Sequence, residues 1–187
     1  MIKLNQLLVW AVLLFIGCTG KTPKDSAGNI DIANAFVDAF YSFKRDSLQT
    51  LLSAAETSRA GMLYYQKWAE CGNYQVLQRD SFFEKNDSTV IFPVTVKDDL
   101  MAALQIDFNV TDTFRITIRD GKIHDVQTSS NDPDEYYIAK EWVYAHRPQY
   151  VEEVCKGIWA EGPTPCECIQ GMLKGFQDYK AQESQDR

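Results

Sequence analysis

The sequence has few of the residues and motifs that commonly carry catalysis. Only two histidines occur among its 187 residues, His124 and His146. A Gly-x-Ser-x-Gly nucleophile elbow, a Gly-rich phosphate loop and a His-Glu-x-x-His zinc motif are absent from it. Lys and Arg form no run and the formal net charge is −7, which argues against binding to a nucleic acid backbone. The sequence therefore predicts no cofactor and no nucleic acid partner.

An apolar run long enough to cross a bilayer is also missing. A membrane-spanning helix needs about 20 apolar residues, and the run from Leu7 to Gly17 is roughly half that length. Because this run follows a short start with the single basic residue Lys3, we interpret residues 1–17 as a secretory signal peptide. The composition, 45% hydrophobic and 24% charged, is that of a globular protein, and the remaining chain is long enough for one domain with a core.

The predicted signal peptide runs into Phe15-Ile16-Gly17-Cys18, which resembles the bacterial lipobox. The resemblance implies that Cys18 is lipidated, becomes the mature N-terminus and anchors the protein to a lipid bilayer of the cell envelope. Phe15 departs from the Leu usual at that position, and the alternative is a plain signal peptide with an incidental cysteine. Residues 18–29 are polar and predict a tether. Thr19 is not the Asp that retains some lipoproteins at the inner membrane, so we favour the outer membrane.

The stretch from Leu104 to Ile118 predicts one long strand. Apolar residues share one parity, as the side chains on one face of a strand do, and polar residues take the other. Asp112 is the only polar residue in the apolar row. Asp120-Gly121 then predicts a tight hairpin turn, with a returning strand from Lys122 to Thr128. A long antiparallel strand with one apolar face needs amphipathic elements packed across it.

Amphipathic helices and further strands precede the long strand. A helical stripe is formed by Ile32, Ala35, Phe36, Ala39, Phe40 and Phe43, and a second helix is predicted from Glu56 to Cys71, with Ala60, Tyr64, Trp68 and Cys71 on one stripe. Strands are predicted from Tyr74 to Glu84 and around Val90 to Val96, with a turn at Asn86-Asp87-Ser88 between them. Because Pro93 removes one donor from the ladder, we expect its strand to be an edge strand or to carry a bulge.

The order of these elements resembles the nuclear transport factor 2-like superfamily, which includes SnoaL-like and ketosteroid-isomerase-like proteins. Asp46 with Leu48, Leu51 and Leu52 matches the acid and Leu-x-x-Leu that follow the first helix of the family, and Gly121-Lys122-Ile123 matches its hairpin. The resemblance covers about residues 30 to 128. It implies an α+β fold in which a curved antiparallel sheet wraps the N-terminal helices into a cone with an open mouth.

The C-terminal third predicts a helical extension. Asp132-Pro133-Asp134-Glu135 is typical of a helix start, with Ile138, Trp142 and Ala145 as the buried stripe. Pro148 opens a further helix, with Val151, Val154, Cys155 and Ile158 aligned, and Thr164-Pro165-Cys166-Glu167 starts another. This segment resembles extensions on some secreted bacterial members of the superfamily. The predicted layout is thus a domain at 30–130, the extension packed on it at 131–182, and a disordered tail at 183–187.

Four cysteines remain once Cys18 is lipidated, and a secreted compartment is oxidising. Cys166 and Cys168 do not easily bond across one residue, so two pairing schemes are open. We favour Cys155–Cys168, closing the proline-rich hairpin, together with Cys71–Cys166, joining that hairpin to the second helix. A zinc site is the rival interpretation, but there is no Cys-x-x-Cys and the histidines lie apart from the cysteines. No metal site is predicted.

Two carboxylates are the candidate catalytic residues. Enzymes of the superfamily use an acid inside the cone to move a proton next to a carbonyl, and the analogous positions are Asp112 and Asp125. A carboxylate in an apolar pocket has a raised pKa and can act as a base. A structural explanation is favoured instead, in which Asp112 marks a wet bend or bulge, exposed or bonded to backbone donors, and Asp125 faces water.

The function predicted from the sequence is therefore a membrane-anchored lipoprotein with a non-catalytic domain that binds a small apolar ligand or a protein partner. Pairing of two copies through the sheet face is a further prediction. The alternative function is a proton-transfer enzyme of the SnoaL or ketosteroid isomerase kind. Asp112 or Asp125 lying inside an open pocket beside a Tyr or Trp would favour the enzyme. A purely apolar pocket would favour binding of a small ligand. A filled interior with exposed apolar sheet residues would favour a protein partner.

Overall fold

A computed structural model describes residues 26–158 and 165–185 of the chain. The predicted signal peptide, Cys18 and the first part of the tether lie outside the described residues. Seven helices lie within them: α1 Ser26–Tyr41, α2 Arg45–Leu51, α3 Arg59–Cys71, α4 Asp99–Ala103, α5 Asp134–His146, α6 Pro148–Val151 and α7 Pro165–Gln185. The strands are β1 Gln75–Arg79, β2 Phe83–Asn86, β3 Thr89–Lys97, β4 Val110–Arg119 and β5 Lys122–Ser130.

The fold is α+β, with an open five-stranded antiparallel sheet packed against helices. The strand order is β1-β3-β4-β5, and β2 pairs with β3 beside β1, so β1 and β2 share one edge and β5 forms the other. Both predicted turns are present. Asp120 and Gly121 have φ angles of 49° and 69°, as the tight turn between β4 and β5 requires.

The predicted long strand is shorter than its apolar pattern. β4 begins at Val110, because Leu104 ends α4 and Gln105 adopts a φ of 56°. The carbonyl groups of Met101 and Ala102 bond the amides of Ile106 and Gln105, which turns the chain before the strand starts. The alternation from 104 to 109 was therefore wrong as evidence for a strand.

Pro93 lies in an interior strand, so the prediction of an edge strand or a bulge at this residue was wrong. β3 has β4 on one side and β1 and β2 on the other. The carbonyl of Pro93 accepts a hydrogen bond from Asp80, which follows β1, so its nitrogen points to the same side. The edge is interrupted there, since β1 ends at Arg79 and β2 begins at Phe83. The backbone N–H that Pro93 lacks would therefore face the break between β1 and β2, where no strand needs it.

The core fills the space between the sheet and the helices. Its largest fully buried side chains include Phe36 and Phe40 from α1, Phe92 from β3, Phe114 from β4 and Phe176 from α7. Full burial of one such side chain stabilises the fold by about 1.5–3 kcal/mol. The interior is thus occupied by side chains of the chain itself.

Two helices bury faces that differ from the predicted stripes. In α3 the buried residues are Met62, Leu63, Tyr65, Gln66, Trp68 and Ala69, and Ala60 is exposed. In α5 Ala139 and Val143 are buried, whereas Ile138 and Ala145 face solvent. The face of α5 is selected by α7, where Gly175 has no side chain and leaves room for Val143.

α7 is the central helix of the extension, since it packs against α3 and α4 of the domain and against α5 and α6 of the extension. Disulfides join Cys71 to Cys166 and Cys155 to Cys168, with Cα–Cα distances of 5.0 and 4.7 Å, which confirms the favoured pairing. The helix predicted after Pro148 ends at Val151, and turns follow, with a φ of 68° at Gly157.

Two predicted boundaries shift. α1 begins at Ser26, so residues 26–29 are helical rather than part of the tether, and α7 continues to Gln185, so residues 183–185 are helical rather than disordered. At the C-terminus the polar residues after Phe176 still fit a helix, since Lys180 bonds both Glu135 and Glu183. None of the described helices is apolar over a length that could cross a bilayer.

Candidate functional site

Asp112 lies on the inward face of β4 and its exposed fraction is 0%. It pairs in regular register with Val94 on β3 and Ser130 on β5. The strand neither bends out of the core nor carries a bulge at this residue. The expectation of an exposed Asp112, or one bonded to backbone donors, was therefore wrong.

Hydroxyl groups from three elements converge on the Asp112 carboxylate. The hydroxyl of Tyr41, at the end of α1, donates to Oδ2 over 2.8 Å. The hydroxyls of Tyr65, from α3, and Ser130, from β5, donate to Oδ1 over 2.7 Å each. These distances are those of well-formed hydrogen bonds from hydroxyl groups. We call Asp112, Tyr41, Tyr65 and Ser130 the carboxylate–hydroxyl cluster.

Burial and hydrogen bonding act on the cluster in opposite directions. Burial raises the pKa of Asp112, and the hydrogen bonds from Ser130, Tyr65 and Tyr41 lower it, with a net rise. Burial and the nearby Asp112 charge raise the pKa of both tyrosines far above that of a free phenol. The tyrosines therefore stay protonated and remain donors to Asp112.

Aromatic rings enclose this cluster from the core side. The ring of Phe40 lies 5.2 Å from Tyr65 and 5.1 Å from Phe114, and the Phe114 ring lies 6.1 Å from Tyr41. Phe40 and Tyr41 each pack edge to face with Phe114, which is a favourable arrangement, and Phe40 and Tyr65 are tilted relative to each other. The low polarity of this wall is the cause of the desolvation of Asp112.

A second buried acid, Asp98, lies at the start of α4. Its Oδ1 accepts a hydrogen bond from the Met101 amide over 3.0 Å and so caps the helix. Burial raises the pKa of Asp98 to about 6, although the backbone hydrogen bonds lower it. The charges of Asp132 and Asp112 contribute to the rise, so the acids of this end of the sheet affect one another.

A groove of about 360 Å³ opens between α3 and the edge strand β5. Its described lining residues are Gly61, Met62, Tyr65, Thr128, Ser129 and Ser130. Tyr65 and Ser130 belong to both the groove and the carboxylate–hydroxyl cluster. The buried Asp112 is therefore separated from the groove by one layer of hydroxyl groups. We call this space the α3–β5 groove.

Asp125 lies away from the cluster. It pairs with Thr117, which is five residues from Asp112 on β4 and therefore on the opposite face of the sheet. Its carboxylate accepts a hydrogen bond from Gln127 over 3.2 Å. His124 lies at the irregularity of β5, and His146 ends α5, stacked on Trp142 at 4.8 Å. The chain thus does not bring the two candidate acids, or a histidine, together in one site.

No group of three or more His, Cys, Asp and Glu side chains that could hold a metal ion occurs within residues 26–158 and 165–185. The four cysteines in these ranges are all in disulfides. The donors around Asp112 are hydroxyl groups, which direct their protons at it.

The sequence pattern singles out Asp112 but not its partners. Tyr41 and Tyr65 lie beside buried aromatic residues and carry no motif. Ser130 lies opposite Asp112 because the register of β5 shifts by one residue. A regular hairpin that starts at Asp120-Gly121 would place Ser129 there. One signal was available: Ile123 and Val126 both face the core at a spacing of three, which requires the irregularity seen between them.

No family model matches the chain, and no curated protein matches it. Among solved structures, the chain is similar to a protein of unknown function with a cystatin-like fold from Xanthomonas campestris, at 17% identity over 56% of this chain and 91% of that one, with a TM-score of 0.44. It is also similar to a protein from Kribbella flavida, at 13% identity over 62% and 98% of the two chains, with a TM-score of 0.44. Neither likeness assigns a function.

Proposed function

We propose that the chain is a lipoprotein of the bacterial cell envelope, anchored through a lipidated Cys18, whose nuclear transport factor 2-like domain binds a protein partner without catalysis. The single observation that carries the binding role is a filled interior combined with apolar side chains exposed at one sheet edge. Within residues 26–158 and 165–185, large side chains such as Phe40, Phe92 and Phe114 occupy the space between the sheet and the helices. Exposed apolar residues at an edge offer a surface to another chain.

The position of Asp112 argues against the alternative, a proton-transfer enzyme. A general base has to lie within hydrogen-bond reach of the proton that it removes. Asp112 is fully buried, and both of its oxygens already accept hydrogen bonds from hydroxyl groups. Asp125 lies on the other face of the sheet, where its carboxylate accepts a hydrogen bond from Gln127. Neither acid is therefore arranged to receive a substrate proton.

The proposed docking surface is the edge formed by β1 and β2. Val76, Leu77, Phe82 and Phe83 are 36%, 51%, 37% and 56% exposed there. An edge strand also offers unpaired backbone amide and carbonyl groups, to which an extended segment can add as a further strand. The partner that fits is a protein presenting an extended segment with apolar side chains. We call this surface the β1–β2 edge.

Site-specific photo-crosslinking in the native envelope tests the docking surface. A photoreactive residue in place of Leu77 should give one adduct of fixed mass with another protein, and the same residue in place of Gln127 on β5 should not. Adding Phe83→Asp should abolish the adduct, whereas Tyr144→Asp, at an exposed aromatic on α5, should leave it. An adduct of two copies of this chain, or equal adducts from both positions, would overturn the proposal.

Metabolic labelling tests the anchor. A fatty-acid analogue should label the wild-type protein and leave Cys18→Ser unlabelled, because only the thiol at this position accepts the lipid. Membrane fractionation should then find the wild type with the membrane and Cys18→Ser in the soluble fraction. Labelling that survives the substitution would exclude Cys18 as the lipidated residue.

A further inference from the structure

The α3–β5 groove meets the interior at two hydroxyl groups whose protons are already used. Ser130 and Tyr65 each donate to Oδ1 of Asp112 over 2.7 Å. A hydroxyl group has one proton, so a second polar group that approaches either oxygen has to be a donor. At its polar end the groove therefore favours ligands that carry N–H or O–H groups.

The charge behind these hydroxyl groups is the negative charge of the Asp112 carboxylate. Among the described residues, no Lys, Arg or His side chain forms an ion pair with Asp112, which is held by hydroxyl donors instead. Its charge is felt by other acids, since it contributes to the raised pKa of Asp98 and Asp132. Burying a charge without a counter-charge costs free energy. A cation in the groove would offset part of that cost.

The remaining walls suit a small apolar body. Met62 and Tyr65 line the groove, and the Met62 side chain supplies an apolar wall. Gly61 lines it too, and a Cβ built there would meet no atom within 4 Å, so this wall leaves open space. No charged side chain occurs among the described lining residues. The volume of about 360 Å³ is at the small end of ligand sites.

We propose that the α3–β5 groove binds a protonated amine on a short apolar chain, with the ammonium group at Ser130 and Tyr65 and the chain along Met62 and Gly61. The buried Asp112 supplies the attraction through the two hydroxyl groups without touching the ligand. This site lies on the opposite sheet edge from the β1–β2 edge, so it stands or fails independently of the proposed partner surface.

An NMR titration of the full-length protein in detergent micelles tests the site. The probes are n-butylammonium and, as a neutral ligand of the same size, 1-butanol. n-Butylammonium should shift the amide signals of residues 61–65 and 128–130 in a saturable way, with an affinity at least tenfold above that of 1-butanol. Butyrate should cause no saturable shift, since its charge has the wrong sign.

Matched variants identify the source of the selectivity. Asp112→Asn should bring n-butylammonium down to the affinity of 1-butanol, whereas Asp125→Asn, the same charge change on the other face, should leave it unaltered. If Asp112→Asn does not fold, Ser130→Ala serves instead and should weaken n-butylammonium at least threefold without weakening 1-butanol. Equal affinities for the two ligands in the wild type, or no saturable shift, would overturn the proposal, and photo-crosslinking from Leu77 would be unaffected.

Discussion

A buried carboxylate held by hydroxyl groups is stable only while each hydroxyl keeps its proton directed at it. Asp112 has three such donors and no basic partner among the described residues. The donors come from α1, α3 and β5, so one side chain joins three elements that are distant in the chain. The energetic role of Asp112 is therefore to hold two helices and the sheet edge in one arrangement.

Replacing Asp112 with Ala should lower the free energy of unfolding by about 2–4 kcal/mol, because it leaves the hydroxyls of Tyr41, Tyr65 and Ser130 without their acceptor. Urea denaturation at neutral pH measures this difference. Asp125→Ala is the control and should change the free energy by less than about 0.5 kcal/mol, as for ordinary surface substitutions. A similar loss in both variants would contradict the role given to the cluster.

Asp98 should make stability depend on pH in a defined window. Burial raises its pKa to about 6 in the folded protein, from an ordinary value of 3.8, so the folded state binds this proton more tightly than the unfolded state does. The contribution to stability is then full below about pH 4 and is lost as the pH rises through about 6. A shift of this size corresponds to about 3 kcal/mol.

The variant Asp98→Asn isolates this contribution, because Asn is also a good N-cap and keeps an acceptor for the Met101 amide. Urea unfolding at pH 4, 5, 6 and 7 gives the free energy of unfolding at each pH. The wild-type value should fall relative to that of the variant as the pH rises across this range. At pH 7 the variant should be the more stable protein. Parallel curves would show that Asp98 titrates normally in the folded state.

Two glycines of α7 allow close contacts with neighbouring helices. A Cβ built on Gly175 lies 2.5 Å from both methyl groups of Val143 in α5. A Cβ built on Gly171 falls on the backbone carbonyl oxygen of Tyr150. The backbone at Tyr150 cannot move as a flexible side chain can, so the path of the extension over the domain depends on these two positions.

Gly171→Ala should therefore destabilise the protein by about 1–3 kcal/mol or more, the range for added volume in a packed core. Gly61→Ala is the matched change in α3, where a Cβ meets no atom within 4 Å. It should stabilise the helix by up to about 1 kcal/mol through helix propensity. Thermal unfolding of the two variants and the wild type separates the effects. Equal melting temperatures would mean that α7 shifts freely on α6.

The elements that the sequence predicts well are those fixed by local chemistry. The turn at Asp120-Gly121, the strand around Val90 to Val96 and the helix end at Cys71 follow from the pattern of nearby residues. The buried face of α5 does not, because Ala139 and Val143 are selected by contact with α7, far along the chain. The alternating pattern places the start of β4 too early. Leu104 is the C-cap of α4 and the Ile106 amide bonds the Met101 carbonyl of that helix, although both residues keep the parity of the strand.

The candidate site was predictable only in part for the same reason. A lone acid in an apolar row marks Asp112 as unusual. Its tyrosine partners come from helices whose position relative to β4 is a tertiary property, and Ser130 depends on the irregularity of β5. The disulfides were predictable because Cys166 and Cys168 are only one residue apart, which leaves few pairings of the four cysteines.

At the scale of the whole molecule, the Cys71–Cys166 disulfide fastens the extension to the domain, whereas Cys155–Cys168 lies within the extension. Cys71 is the last residue of α3 and Cys166 is the second residue of α7, and the bond spans 95 residues of sequence. Replacing both cysteines with Ala should lower the free energy of unfolding by about 2–5 kcal/mol, since removal of a native bridge frees the unfolded chain. Unfolding in guanidinium chloride measures this difference in the free energy of unfolding. The Cys155–Cys168 bond closes a shorter loop, with a sequence separation of 13. Replacing these two cysteines with Ala should therefore cost less loop-closure entropy.

The Cys71–Cys166 bond also determines what happens to a nicked chain. A cut at any peptide bond from residue 72 to residue 165 leaves Cys71 in one piece and Cys166 in the other, so the two pieces stay covalently joined. On a gel such a protein runs as one band until a reducing agent is added, and as two bands afterwards. A nick in this region therefore does not release the C-terminal piece from the N-terminal one.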